Sequence, residues 1–182
     1  MRYASIRKLD ISNGEEIGVA LFVQGCEQHC FNCFNPETWN FEGGKEWNDE
    51  IKNQFLALIN RPYIKRVTIL GGEPLATENI CDVYSIVLLI KKKYPDKKIW
   101  LYTGKTLNEL NFSLVFSNLI GLNYDWYYNS IIKLCDVIVD GAYIDELRDL
   151  SLPFRGSSNQ RLIDVKNSIK AKRIILYSLK SE

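Results

Sequence analysis

The sequence predicts an α/β fold built on a mostly parallel sheet. Short β-branched apolar runs alternate along the chain with longer stretches whose apolar residues recur at helical spacing. Four of those runs end in small, polar or cysteine-bearing turns. Alternation of this kind implies crossover connections, which keep successive strands parallel.

Residues 3–9 (YASIRKL) and 17–23 (IGVALFV) read as two strands around a turn at Ser12-Asn13-Gly14. The cysteine-bearing loop QGCEQHCFNCFNP, 24–36, follows. Apolar positions at Trp47, Ile51, Phe55 and Leu56 predict a helix over 45–60. Residues 66–70 (RVTIL) form the next strand, ended by Gly71-Gly72-Glu73-Pro74. Residues 77–93 read as a helix with Thr77 as its N-cap. Residues 98–102 (KIWLY) are a strand ended by Thr103-Gly104. A helical region begins at Thr106, breaks around 121–125 and continues toward Leu134. Residues 136–139 (DVIV) are a strand ended by Asp140-Gly141. A polar segment then leads to 155–161 (RGSSNQR), and 173–177 (RIILY) makes the last strand. If the strands' carboxyl ends share one edge, the cysteine loop, GGEP, TG and DG turns converge on one cleft, where α/β sheets and barrels place ligands.

The 182 residues, 46% hydrophobic, suit a single domain (1–182) with a sizeable core. A net charge of +1 gives no electrostatic case for nucleic-acid or anionic-membrane binding. No apolar run reaches the ~20 residues of a membrane helix. The opening MRYASIRKLD lacks the apolar core of a signal peptide, so a cytoplasmic location is expected. Five cysteines, three of them clustered, argue against a secreted disulfide framework and for a reducing compartment.

Cys26, Cys30 and Cys33 form a Cys-x3-Cys-x2-Cys run at the end of a predicted strand. Three close thiolates on a loop suit a soft metal or an iron–sulfur cluster. A cubane has four irons, so three cysteines leave one iron without a protein ligand from this loop. The rival is structural zinc with His29 as fourth ligand. His29 and Cys30 adjoin in sequence, which strains a shared tetrahedron, and no second Cys-x2-Cys pair follows. The cluster therefore ranks above zinc, and zinc above three unligated cysteines. His29, the only histidine, otherwise reads as a solvated loop residue or a modulator near the cluster. Cys81 and Cys135 stand in apolar contexts and read as small buried hydrophobes. The basic run at 91–98 (KKKYPDKK) reads as solvated cations at a helix carboxyl end, with docking of an acidic reductant as the weaker alternative. The aromatic run at 124–128 (YDWYY) fits a partner surface or an added packing layer equally well.

The cysteine spacing is the signature of the radical S-adenosylmethionine (SAM) enzymes, which this sequence resembles. The resemblance implies a partial (incomplete) α/β barrel carrying one [4Fe–4S] cluster on Cys26, Cys30 and Cys33. It also implies SAM as second cofactor, chelated to the open iron and cleaved reductively to a 5′-deoxyadenosyl radical. In this family the stretch matching Gly71, Gly72 and Glu73 contacts the SAM amino group; its plainer reading is a turn that starts a helix. Asn32 and Phe34 flank the third cysteine. The position of Asn32 is often aromatic and packs on adenine, so here stacking passes to Phe34 or gives way to an amide hydrogen bond. Simple loop packing is the other reading of Phe34. Thr103 and Asp140 lie at strand ends where the family meets the ribose and methionine portions, and an ionised Asp suits ribose hydroxyls. Both also fit ordinary turns.

Two stretches narrow the resemblance. Residues 10–39 and 140–164, with Asn35-Pro36-Glu37-Thr38-Trp39 and Arg155-Gly156-Ser157-Ser158-Asn159-Gln160 most telling, resemble the activating proteins of anaerobic ribonucleoside-triphosphate reductase. The likeness covers nearly the whole chain and is weakest over 111–134 and after Asp164. It implies hydrogen abstraction from a C-terminal glycine Cα of the reductase large subunit, which becomes the macromolecular partner, and a reductant such as flavodoxin. The RGSSNQR segment would bind the partner's glycine loop or line the SAM site. Some relatives carry Gly-x-Gly-x-Arg before the second strand, where this chain has Gly14-Glu15-Glu16-Ile17-Gly18. Residues 114–131 and the carboxyl tail are longer than in compact members. The rival functions are another small radical SAM enzyme (a different glycyl-radical activase or a 7-carboxy-7-deazaguanine synthase) and a non-catalytic iron–sulfur or zinc module.

Overall fold

The computed structural model describes residues 1–110 and 124–179. Seven strands form one sheet in the order β3-β1-β2-β4-β5-β6-β7. They are β1 (Arg2–Asp10), β2 (Gly18–Val23), β3 (Lys45–Glu46), β4 (Arg66–Gly71), β5 (Lys98–Thr103), β6 (Val137–Asp140) and β7 (Arg161–Asp164). The central strands β2, β4, β5 and β6 run parallel and stand in chain order. At the edges β1, β3 and β7 pair antiparallel. The fold is thus mixed α/β with a parallel centre.

Four helices are described: α1 (Asp49–Ile59), α2 (Ile80–Lys93), α3 (Tyr124–Leu134) and α4 (Val165–Ala171). Because the parallel strands never reverse their order, crossovers of one hand return every helix to the same face. Leu21, Ile69, Leu101, Ile138 and Ile163 pair in a single row across five strands. That row meets Phe55 and Ile59 of α1, Val83, Ile86 and Ile90 of α2, and Ile131 of α3 in the main core. Side chains alternate along a strand, so Phe22, Leu70, Trp100, Tyr102 and Val139 face the other way. No helix contributes to those clusters among the described residues.

On this open face Arg66 is fully buried. Its guanidinium donates to the Asp10 carboxylate at 2.9 Å and to the carbonyls of Asp10, Asn13 and Glu15. The β1–β2 turn therefore wraps a cation supplied by β4. Tyr177 closes the region, donating to the Glu15 carboxylate at 2.6 Å while its ring packs edge-on against Trp100.

Several expectations need correction. The helix expected over 45–60 begins at Asp49, behind an Asn48 cap that accepts from the Ile51 N–H. Residues 45–46 instead pair with β1. Thr77 is not the cap of α2. Successive turns occupy 74–79, and the Asn79 amide donates to the carbonyls of Gln24 and Glu73, holding the chain out of the helix until Ile80. The final strand is not 173–177, which makes one bridge, Leu176 to Ile163. The strand at that edge is β7, paired with β6, and α4 follows behind its Asp164 cap. Cys81 is exposed, because the buried stripe of α2 runs through Ile80, Val83, Ile86, Val87 and Ile90 and misses it. Cys135 is buried as expected. Within the basic run, Lys91 pairs with Asp136 at 2.6 Å, and Lys97, buried, pairs with Asp96 at 3.1 Å. In α3 the rings of Trp126 and Tyr127 pack against Tyr84 of α2, so that part of the aromatic run is a packing layer. The helix expected from Thr106 is replaced by turns over 107–110, and of the break expected around 121–125, Tyr124 and Asp125 already belong to α3; residues 111–123 lie outside the described residues.

Candidate functional site

The pairs Val23–Gly71 and Thr103–Asp140 end their strands on the same edge, as the convergence argument requires. There a cleft of about 550 Å³ is lined by Cys26, Cys30 and Cys33 together with Gly71, Gly72, Glu73, Thr103 and Gly104. It extends over the open face to Phe22, Leu70 and Tyr102.

The cysteine loop starts when Val23 leaves the sheet. Gly25 donates to the Thr38 carbonyl and Cys26 to the Trp39 carbonyl, closing the loop at its neck. The Asn35 N–H donates to the Cys33 sulfur at 3.4 Å, and backbone amides of Gln28 and His29 near Cys26 and of Tyr143 near Cys30 act as donors that hold those two thiols below the level burial alone would set. Burial, opposed by these donors and reinforced by the Glu73 carboxylate, pushes the Cys26 thiol up to about 11. Burial likewise raises Cys30. These sulfurs become thiolates where a cation offsets that cost, and N–H···S bonds then favour the anion. The three-cysteine set with its donors therefore fits an iron–sulfur cluster. For a single ion the geometry is poor: no group of three His, Cys, Asp or Glu among the described residues converges to hold one. His29 is exposed and stacks on Trp39 at 4.8 Å, apart from the cleft lining, which removes it from the zinc scheme.

Gly71 and Gly72 bring the β4 turn against the neck of this loop. Gly72 donates to the Val23 carbonyl at 2.9 Å and Glu73 to the Gly25 carbonyl at 2.7 Å. A Cβ on Gly72 would stand 2.3 Å from the Gly25 oxygen, and Gly71 has φ +108°, a region that disfavours side chains. Glycines here are a steric requirement of the two turns' approach.

Glu73 lies at the cleft floor, 1% exposed. Its carboxylate accepts from Leu75 N–H at 2.9 Å, Thr103 Oγ1 at 2.8 Å and Gly104 N–H at 2.8 Å. Burial outweighs these donors and raises it from 4.5 to about 7. Glu73 thereby ties the β4 and β5 turns together while its edge stays on the cleft. Thr103 spends its hydroxyl proton on Glu73 and accepts from Lys105 N–H at 3.1 Å.

The flanking residues divide. Phe34 lines the cleft, 51% exposed, with its ring edge-on to Tyr143 at 5.0 Å and under the Arg148 guanidinium at 5.6 Å. Asn32 sits in the left-handed region at φ +53° and donates to Asp145 at 2.9 Å; it is absent from the lining. Asp140 requires correction as a ribose acceptor. It is fully buried, takes both Nε and Nη2 of Arg161 (2.9 and 2.5 Å) and accepts from Leu107 N–H at 2.8 Å, leaving no free edge toward the cleft. At that turn Gly141 and, two residues on, Tyr143 line the cleft instead.

From the polar segment, Arg155, Gly156 and Gln160 reach the cleft. Arg155 donates to the Gln160 carbonyl through Nη1 and leaves its buried Nε without a partner. Sequence reasoning missed Arg7, Gln28, Tyr102, Tyr143 and Phe154, which line the wall from separate elements. No local pattern marks them.

Comparison with known proteins now bears on this geometry. Residues 12–163 match the model of a 4Fe–4S single cluster domain. The anaerobic ribonucleoside-triphosphate reductase-activating proteins of Salmonella typhi and Escherichia coli K12 are each 34% identical over 162 residues, spanning 88% of this chain and 96% of theirs. That of Enterobacteria phage T4 is 32% identical, spanning 89% of this chain and 93% of its own. The chain belongs to this family of activating proteins. Its [4Fe–4S] assignment agrees with the three N–H-supported sulfurs. Across the described residues, no helix is long and apolar enough to cross a membrane.

Proposed function

We propose that this chain is a radical SAM activase that forms a glycyl radical on an anaerobic ribonucleoside-triphosphate reductase. The observation that carries the reading is the meeting of Cys26, Cys30 and Cys33 with the Gly71-Gly72 turn on one cleft, in a chain whose relatives bear that activity in their names. The singly wound sheet, with helices on one face only among the described residues, supports a partial barrel of the radical SAM type. Its seven strands in one sheet support reading 1–182 as a single domain.

Cys26, Cys30 and Cys33 would hold the cluster, leaving one iron for SAM. When bound, the cluster supplies the electron that cleaves SAM to methionine and a 5′-deoxyadenosyl radical, which takes a hydrogen atom from a glycine Cα of the reductase.

This chain's residues bind, orient and exclude water. The Gly71-Gly72 backbone and the Glu73 edge suit the SAM ammonium group, and Phe34 offers an exposed ring for the adenine. Thr103 acts by holding Glu73 in place, and Asn32 by shaping the loop. The exposed apolar side chains of Phe34 and Leu150 (51% and 71%) border the cleft. A partner's loop covering them would shut out water around a reactive carbon radical. A reducing cytoplasm and an electron donor such as flavodoxin complete the proposal.

The test is anaerobic incubation of the reconstituted, reduced protein with SAM, with and without the cognate reductase. 5′-Deoxyadenosine plus a glycyl electron-paramagnetic signal on the reductase is the expected result. Product without that signal would redirect the substrate assignment, and cluster-loaded protein that makes no product would defeat the enzyme reading.

A further inference from the structure

The cysteine loop is held to the body of the protein by very few bonds. Between Glu27 and Asn32, the only backbone–backbone hydrogen bond recorded among the described residues is internal, from Cys33 N–H to Cys30 C=O. The loop also contains two non-glycine residues in the left-handed region, His29 (φ +43°) and Asn32 (φ +53°). Such a conformation persists only where surrounding contacts determine it.

Side chains provide those contacts on two flanks. From the β5 turn, Lys105 Nζ lies 3.2 Å from the Glu27 carboxylate. From the segment after β6, Asp145 receives Asn32 Nδ2 at 2.9 Å and Tyr143 Oη at 2.5 Å. The same segment packs the Tyr143 ring edge-on against Phe34, next to Cys33, at 5.0 Å. Behind it stands the RGSSNQR stretch. Ser157 Oγ accepts from Ile144 N–H at 3.3 Å, Ser158 N–H donates to the Leu147 carbonyl at 2.9 Å, and Asp149 N–H donates to the Gly156 carbonyl at 3.1 Å. That stretch thus backs the segment that grips the cysteine loop.

We propose that Asp145 is a positioning residue for the cluster, locking Asn32 and Tyr143 so that the cysteine loop is preformed around Cys30 and Cys33, with the Asn35 N–H on the Cys33 sulfur. The inference rests on the cluster reading above. Its physical basis is general: groups behind the ligands set their orientation, and hydrogen bonds to cluster sulfurs set the redox potential. An N–H···S bond stabilises the more negative, reduced cluster, so losing its alignment moves the potential down.

The experiment compares wild type, Asp145→Ala and Asp145→Asn after anaerobic reconstitution, scoring iron per chain, iron release to a chelator, and midpoint potential. Asp145→Ala is expected to bind iron roughly 10–100-fold more weakly, the usual cost of losing such a group, and to have a more negative potential. Asp145→Asn should restore most of both, since its amide accepts from Asn32 and donates to the Tyr143 oxygen. The metal-free melting temperature should change little among the three, because Asp145 is only partly buried and its Asn32 partner is exposed. Unchanged iron release and potential in Asp145→Ala would overturn the inference. So would a fall in metal-free melting temperature without rescue by Asn, which marks a general structural role. Wild type that takes up no cluster would instead defeat the cluster reading, and this inference with it.

Discussion

Arg66 and Asp10 form an ion pair at 2.9 Å with side chains 0% and 1% exposed, on the sheet face that no described helix covers. Asp10 ends β1, Arg66 begins β4, and the pair clasps the intervening β1–β2 turn, whose Ser12 and Asn13 reach the cleft.

Asp10→Ala would leave the Arg66 cation buried with only neutral partners, backbone carbonyls and the Thr68 hydroxyl. Removing one member of a buried pair costs about 3–5 kcal/mol; the carbonyls of Asn13 and Glu15 remain, so the lower end is expected. Urea denaturation of the metal-free protein measures it. A loss within experimental error of zero would mean that the turn holds without the pair.

Glu73 gives a pH dependence with a defined sign. Folding raises it from 4.5 to about 7, chiefly through burial, so the folded chain keeps this proton where the unfolded chain releases it. The stabilisation is present below about pH 4.5 and disappears as pH rises through about 7. The difference corresponds to about 3 kcal/mol. Wild type should therefore lose stability across that window relative to Glu73→Gln, when metal-free unfolding is followed at several pH values. Parallel curves for the two proteins would contradict the burial argument.

Gly72→Ala places a methyl group 2.3 Å from the Gly25 carbonyl oxygen, which is backbone and cannot swing aside. Separating the two turns should cost about 1–3 kcal/mol, as overpacking does, and reduce SAM cleavage at least tenfold if part of that loss falls on the bound state. Thermal unfolding together with 5′-deoxyadenosine yield would register both effects. Wild-type yield would show that the close approach is dispensable.

Alanine at Cys26, Cys30 or Cys33 should each abolish SAM cleavage, with the [4Fe–4S] absorption lost or weakened. Cys81→Ala, at an exposed position, should stay within about 0.5 kcal/mol of wild type in stability and keep its activity. Cys135→Ala, at a buried one, should cost about 1 kcal/mol and still cleave SAM. Full activity in any of the first three would remove that residue from the ligand set.

The central strands β2, β4, β5 and β6, the helices α1 and α2 between them, the cysteine triplet and the glycine turn were legible because each is local. Period-2 and period-3.6 patterns span a few residues, and Cys26, Cys30 and Cys33 occupy one loop. The cleft itself followed from strand ends in a parallel sheet. The tertiary structure decided what depends on partners distant in the chain. Asp140 looks from sequence like an open acceptor, yet Arg161, brought alongside by antiparallel pairing of β7, occupies both its oxygens. Asn32 looks like a cleft residue, yet Asp145, 113 positions away, draws it aside. Glu73 looks like a turn residue, and only folding buries it at the cleft floor, which raises its carboxyl, and brings the Thr103 and Gly104 donors through which it joins two turns. A side chain's type is written in the sequence. Its free valences depend on which neighbours folding delivers, and on how far that removes it from water.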